Sequence, residues 1–347
     1  MNIKIFFVPI FLCVIVLAGC TPSPDSAPTE SGESSAASSE IFAMDTFIAM
    51  SAYGERAAEA ILAAEQEIYR LDDLLSTGKS SSEITSINQN GGGILSEDTS
   101  ALIKASVGIY NETGGAFDIT VYPLMQAWGF TSKNYRVPSR EELDSLLLIT
   151  GTGYLSYNED TEELSFAREG MAIDLGGIAK GYASGRIMEI FKDYGIESAL
   201  VSLGGNVHTL GTKPDGRQWR VGVQDPADIS SNIGVLSISD KAAVTSGGYQ
   251  RFFEEDGVTY HHILDPKTGA TANSGLSSVT IVSDNGTLAD GLSTALFVMG
   301  ADAAAEFWRE RRDTFDAVFV TDDGRILVTD GLADCFYSDY SYELISP

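Results

Sequence analysis

The chain has 347 residues, in which 49 acidic side chains face 22 basic ones for a formal net charge of −27. Such a surface excludes non-specific nucleic-acid binding and adhesion to anionic lipid head groups, since both need a surplus of Lys and Arg. The acidity speaks for solubility and names no substrate.

Residues 1–19 read as a signal peptide, with Lys4 in a short basic region and an apolar run from Ile5. The run is too short to be a spanning helix. Its end, "LAGC", resembles the lipobox of bacterial lipoproteins, which implies that Cys20 is acylated after cleavage; an ordinary secretory signal is the alternative. Residues 20–40 are rich in Ser, Pro, Ala and Glu with no large apolar residue, the composition of a flexible tether. The expected location is therefore the cell membrane, lipid-anchored on its extracytoplasmic side. With Cys20 acylated, Cys335 lacks an intramolecular partner, and stability without disulfides follows.

The folded body is expected over 41–347, long enough for a large core. Ile61, Ala64, Ile68, Leu71 and Leu75 line one face of a helix over about 55–75. A second helix is expected from Ser96 to Glu112, ending at Gly114-Gly115. "SREE" from Ser139 is a capping box, in which hydroxyl and carboxylate satisfy each other's free amides. "AIDLGGIAKGYA", from Ala172, opens a helix that ends at Gly195, and "ESALVSLGG" follows as a buried strand. Strands are expected at 219–223, 235–238 and 277–283, with helices at 289–299 and, capped by Asp302, 303–312. Asp323-Gly324 turns a final hairpin. This mixture implies an α+β fold with mixed and antiparallel sheets flanked by helices, and without internal repeats.

Four clusters carry candidate chemistry. In "GGAFDITVYPLMQAWGF", from Gly114, site and helix-to-loop junction are equally good readings. In "AIDLGGIAKGYA" and "SLGGN", glycine pairs sit near strand ends, where sheets leave ligand crevices. The glycine-rich turn fits neither a P-loop nor a dinucleotide-binding fingerprint. His261 and His262, with Thr245, Ser246 and Arg251 upstream, precede an Asp-Pro-Lys-Thr-Gly turn; neighbours in a strand point oppositely, so at most one enters a given pocket. Asp290 and Thr294 share one helix face. Their oxygens suit a hard cation such as Mg²⁺, and the alternative is Asp290 serving the helix N-terminus.

Taken in order, "MDTFIAM", "SSEITSIN", "GGAFDITVYPLMQAWGF", "IDLGGIAKGYA", "LVSLGGNVHTLG", "WRVGVQDP", "VTSGGYQRFF", "HILDPKTG" and "ADGLSTALFVMG" closely resemble the FAD:protein FMN transferase family, the ApbE-like proteins. The resemblance spans about Met44 to Gly300. It implies the ApbE-like fold, FAD as substrate, Mg²⁺ as cofactor, and transfer of FMN through a phosphoester bond to a threonine of an acceptor protein, with release of AMP. It further implies a metal held by the Gly177 carbonyl, Asp290 and Thr294. Asp174 and Lys180 match FAD-contacting positions, and Met44, Ala116, Phe117 and Asp118 match positions lining the flavin-nucleotide cleft.

Lys180 would supply positive charge to pyrophosphate oxygens, and phosphoryl transfer mainly requires alignment and charge neutralisation. His262 is the candidate base for the acceptor hydroxyl and a candidate FAD contact. The chain departs from the family pattern at Asp45 (usually Gly), Gly78 (commonly Tyr) and Asn206 (often Asp). These departures bear on affinity more than on reaction type. "DGLSTAL" is similar to the flavin-acceptor motif, but Leu296 occupies the acceptor threonine's place, so self-flavinylation is not expected there. The expected acceptor is a membrane-associated redox flavoprotein subunit. An FAD pyrophosphatase, or a flavin-binding lipoprotein without catalysis, are the alternatives.

Overall fold

The computed structural model describes residues 35–347. Cys20, the expected signal peptide and the tether up to residue 34 lie outside the described residues. The described residues begin with β1 (Ala36–Ala43), β2 (Thr46–Tyr53), α1 (Ala57–Leu75), α2 (Glu83–Asn90), β3 (Gly92–Ile94) and α3 (Glu97–Glu112). Next come α4 (Tyr122–Trp128), α5 (Arg140–Leu147), β4 (Leu155–Asn158), β5 (Glu163–Phe166), α6 (Ala179–Asp193), β6 (Ser198–Leu203) and β7 (Asn206–Leu210). Then follow β8 (Trp219–Gln224), β9 (Asn232–Ile238), β10 (Ala242–Gly247), β11 (Phe252–Glu255), β12 (Val258–His261) and β13 (Leu276–Ser283). The chain closes with α7 (Gly286–Met299), α8 (Ala301–Arg309), β14 (Asp316–Thr321), β15 (Ile326–Thr329), β16 (Phe336–Tyr337) and β17 (Glu343–Ile345).

The expected boundary at residue 41 is too late. β1 starts at Ala36 and pairs antiparallel with β2 along its whole length, from Ala36 opposite Tyr53 to Ala43 opposite Thr46. Ala and Ser give no apolar signal, but the backbone ladder orders them, and Ala37 and Ile41 pack against the main core. Met44 and Asp45 connect the strands with φ of 51° and 57°, the positive values a two-residue hairpin demands.

Among the described residues, a nine-stranded sheet of order β1-β2-β6-β7-β10-β13-β14-β15-β17 forms the frame. Its pairings are antiparallel except β15 with β17. The α+β expectation holds. One face buries α1, α6, α7 and α8 over a core that includes Ile68, Leu71, Phe191, Leu296 and Trp308. The other face packs Val282, Val318 and Val328 against Val221 and Leu236 of the small β16-β9-β8 sheet. A satellite cluster stacks Phe253 on Tyr135 and Tyr260, beside Trp128.

Local chemistry accounts for most helix ends. The Ser96 and Ser139 hydroxyls accept the N–H groups of Thr99 and Glu142, as N-caps do. Two ends differ from expectation. α8 is preceded by Gly300, whose φ of 83° turns the chain directly out of α7, so Asp302 lies inside the first turn rather than capping it. α7 starts at Gly286, because the Asn285 side chain accepts the Leu288 N–H.

Candidate functional site

The early start of α7 removes Asp290 from the capping position. The cap is Asn285, and Asp290 lies a turn further in, only 3 % exposed. Its Oδ2 accepts the Gly181 N–H at 2.8 Å and its Oδ1 accepts Asn206 Nδ2–H at 3.0 Å. The first bond exists because α6 and α7 cross closely. A Cβ on Gly181 would stand 2.1 Å from the Gly286 carbonyl oxygen and 2.6 Å from Asp290 Cβ. Only glycine permits that approach.

One turn on, Thr294 Oγ1 lies 3.2 Å from Ser246 Oγ, which is 2.8 Å from Ser293 Oγ. Gly177 stands against this corner: a Cβ there would meet Phe117 Cε2 at 3.1 Å and Thr294 Oγ1 at 3.7 Å. Lys180 Nζ donates to the Gly176 carbonyl at 3.0 Å and approaches Asp290 Oδ1 to 4.0 Å. Lys180 on α6, Gly177 in the turn before it, and Asp290 and Thr294 on α7 are thus brought together across more than 100 residues of sequence.

A carboxylate, a hydroxyl and main-chain oxygens form the hard donor set that Mg²⁺ takes. Each Asp290 oxygen holds one N–H and keeps lone-pair capacity. Among the described residues no three His, Cys, Asp or Glu side chains cluster as metal ligands. A single charged ligand suits a Mg²⁺ that completes its shell with phosphate and water.

Asp174 precedes Gly176 and Gly177 in the same turn. Its Oδ1 accepts the Gly176 N–H at 2.6 Å, its own N–H donates to the Ile119 carbonyl, and burial raises its pKa although Arg251 and Lys180 oppose the rise. His262 donates from its main-chain N–H and from Nδ1–H to one acceptor, the Arg251 carbonyl, at 3.0 and 3.2 Å. A carbonyl only accepts, so Nδ1 carries the proton and Nε2 keeps its lone pair. Burial, with the charges of Arg251, His261 and Lys180, lowers the His262 pKa to about 3. The histidines diverge as expected: His261 donates Nε2–H to the Ala272 carbonyl and packs edge-on against Phe297 at 5.4 Å.

The remaining expected cleft residues divide. Met44 is half-buried at the β1–β2 turn, and Ala116 and Phe117 are buried in the main core, with Phe117 presenting its ring edge toward Gly177. Asp118, 7 % exposed, accepts from the main-chain and side-chain donors of both Thr120 and Thr152. Its carboxylate is occupied within the protein as an anchor of the 118–122 turn. Trp128 serves packing, with Nε1–H donating to the Gly269 carbonyl.

Sequence reasoning missed Asn206 as a partner of Asp290, Gly181 as the crossing point, Ser246 and Ser293 beside Thr294, and Thr152 beneath Asp118. The glycine in "AKGYA" was the one available signal, since an interior helical glycine needs a packing reason. The departures have structural counterparts. Asp45 pairs with Arg251 at 2.8 Å, Asn206 holds Asp290, and a Cβ on Gly78 would meet only Ser76 Oγ, at 3.7 Å.

This α+β frame gathers a carboxylate, a hydroxyl and a lysine where α6 and α7 cross. Residues 44–319 match the model of the ApbE family, and the chain belongs to that family. A Klebsiella pneumoniae protein named FAD:protein FMN transferase is 34 % identical over 268 residues, covering 76 % of this chain and 83 % of its own. A Treponema pallidum protein of the same name is 32 % identical over 303 residues, covering 81 % and 83 %. Among solved structures, the Thermotoga maritima ApbE protein superposes with a TM-score of 0.81 at 34 % identity, over 86 % of this chain and 98 % of its own. The flavin transferase ApbE from Vibrio cholerae gives 0.79 at 27 % identity, over 87 % and 99 %.

Proposed function

We propose that the protein is a Mg²⁺-dependent transferase that moves FMN from FAD to a threonine hydroxyl of an acceptor protein and releases AMP. It is an enzyme of the flavin-transferase class, as its curated relatives are named. The observation that carries the finer reading is the convergence of Asp290, Thr294, Gly177 and Lys180 on one corner, beside a histidine with a free ring nitrogen.

In this reading Asp290, Thr294 and the Gly177 carbonyl would hold Mg²⁺, which would supply charge neutralisation to phosphate oxygens. Lys180 adds a point charge to the pyrophosphate. His262 accepts the threonine proton at Nε2 while the new oxygen–phosphorus bond forms and the bond to the AMP phosphate breaks; the burial that keeps it neutral also makes it a weaker base than the near-neutral histidine that suits this role. The Arg251 carbonyl fixes the imidazole's tautomer and direction. The acceptor is a membrane-associated redox flavoprotein subunit, reached from a lipid anchor at Cys20 on the extracytoplasmic face. The support for this part is the segment pattern of residues 1–40.

The test is incubation of the protein with FAD, Mg²⁺ and candidate acceptors, with AMP measured chromatographically and acceptor mass by spectrometry. AMP release together with an FMN-sized mass gain supports the proposal. AMP without any labelled acceptor would recast the protein as an FAD pyrophosphatase, and no AMP at all would leave a flavin-binding lipoprotein.

A further inference from the structure

Asp45 is held in a backbone region that side chains other than Gly, Asn and Asp seldom adopt, with φ of 57° directly after Met44 at 51°. Its carboxylate reaches across to the β10–β11 connection and pairs with Arg251 Nη2 at 2.8 Å. Arg251 is in turn the residue whose main-chain carbonyl receives both His262 donors. The tip of the first hairpin, the arginine and the histidine are therefore mechanically linked.

A guanidinium carries five N–H donors in a planar fork, and the Asp45 bond occupies one of its three nitrogens. The Arg251 side chain is 34 % exposed, so the rest of the fork is accessible. Its charge bears on Asp174 and on His262, as does that of Lys180. Lys180, tied to the Gly176 carbonyl and near Asp290, occupies the metal-side corner. Two cations on different elements thus act on the same carboxylate and imidazole, which suits a ligand with two linked phosphates.

Resting on the proposed FAD chemistry, we propose that Arg251 is a second cationic contact for the pyrophosphate of FAD, and that Asp45 is the positioning residue that aims its guanidinium at the site. Lys180 serves the metal-side phosphate as a point charge. Arg251 grips the other with its fork from the hairpin side, and the hairpin turn sets Asp45 at its tip.

The test is equilibrium titration of the full chain with FAD and, separately, riboflavin, followed by flavin fluorescence without added divalent cation so that no turnover intervenes. Arg251→Ala should weaken FAD binding about tenfold to a hundredfold, the range set by charge-assisted hydrogen bonds, while riboflavin, which has no phosphate, shifts less than about twofold. Arg251→Lys should recover part of the loss. Asp45→Asn tolerates the same backbone conformation and should weaken FAD about threefold, with no further effect in an Arg251→Ala background. FAD affinity unchanged in Arg251→Ala, or FAD and riboflavin weakened equally, would overturn the phosphate contact. Tighter FAD binding by Asp45→Asn would overturn the positioning role. A wild-type chain without affinity for FAD would remove both this inference and the function beneath it, whereas wild-type binding that survives Arg251→Ala removes this inference alone.

Discussion

Replacing Asp290 by Asn keeps the side chain's shape and exchanges an acceptor-only group for one with a donor end. The site offers Asp290 two donors, the Gly181 N–H at 2.8 Å and Asn206 Nδ2–H at 3.0 Å, one on each oxygen. Whichever way the new amide turns, its NH₂ faces one of them. The variant loses a hydrogen bond to a charged group, about 1.5–3 kcal/mol, and strands a buried donor, about 1–3 kcal/mol, against relief of burying the charge. A net loss of about 2–4 kcal/mol is expected. At roughly 2 °C per kcal/mol for a chain of this size, the melting temperature should fall by about 4–8 °C. Thr294→Val, which gives up one neutral contact at 3.2 Å, should cost no more than about 1 kcal/mol. Thermal unfolding by circular dichroism reads the stability term, and AMP release against Mg²⁺ concentration reads the chemistry. Asp290→Asn should abolish turnover at any Mg²⁺ level, whereas added Mg²⁺ should partly restore Thr294→Val by mass action. An Asp290→Asn protein that melts like the wild type and keeps its Mg²⁺ dependence would refute the reasoning at both steps.

Further outcomes follow from neighbouring groups. His262→Ala should slow FMN transfer about 10²- to 10⁴-fold with FAD affinity within about twofold, measured by single-turnover labelling and flavin titration; lost affinity at full rate would make the histidine a binding residue. His208 is buried against Ser184, and burial lowers its pKa to about 4. Its folded value lies below the unfolded one near 6.5, so its neutral form favours the native state, and this contribution shrinks as pH falls from about 6.5 to 4. His208→Gln should flatten the acid side of the stability–pH curve by on the order of 3 kcal/mol in chemical denaturation, and an unchanged slope would contradict it. Asp118→Ala leaves the Thr120 and Thr152 donors without their acceptor and should destabilise by about 3–5 kcal/mol. A normal melting temperature accompanied by lost FAD affinity would instead make Asp118 a ligand contact.

What the sequence disclosed follows the range of the forces involved. The α1 stripe from Ile61 to Leu75 and the Ser139 hydroxyl cap are local, set by helical period and a side chain within three residues, and they form as read, whereas the Glu142 carboxylate expected to complete the box pairs with Arg136 instead. β1 escaped notice because its order derives from a partner strand and not from its own Ala-Ser composition. The corner formed by Gly177, Asp290 and Thr294 was legible as a set only through the order of motifs, since spacing alone favoured Asp290 serving the helix N-terminus. Asp118 shows another limit: from local sequence its cluster reads equally as a site or a helix-to-loop junction, and nothing local reveals that Thr152 rises beneath it to donate to its oxygens.

The crossing of α6 and α7 at Gly181 has a consequence for how the site comes into being. The Gly181 amide and the Asp290 carboxylate meet only when two helices separated by 109 residues have docked backbone to backbone. No locally folded fragment can hold this corner, and its assembly coincides with closure of the main core. A ligand seated there would therefore draw on the free energy of the whole domain rather than of a mobile loop. Its occupancy should slow hydrogen exchange across the core as a unit, and affinity and global cooperativity would rise or fall together.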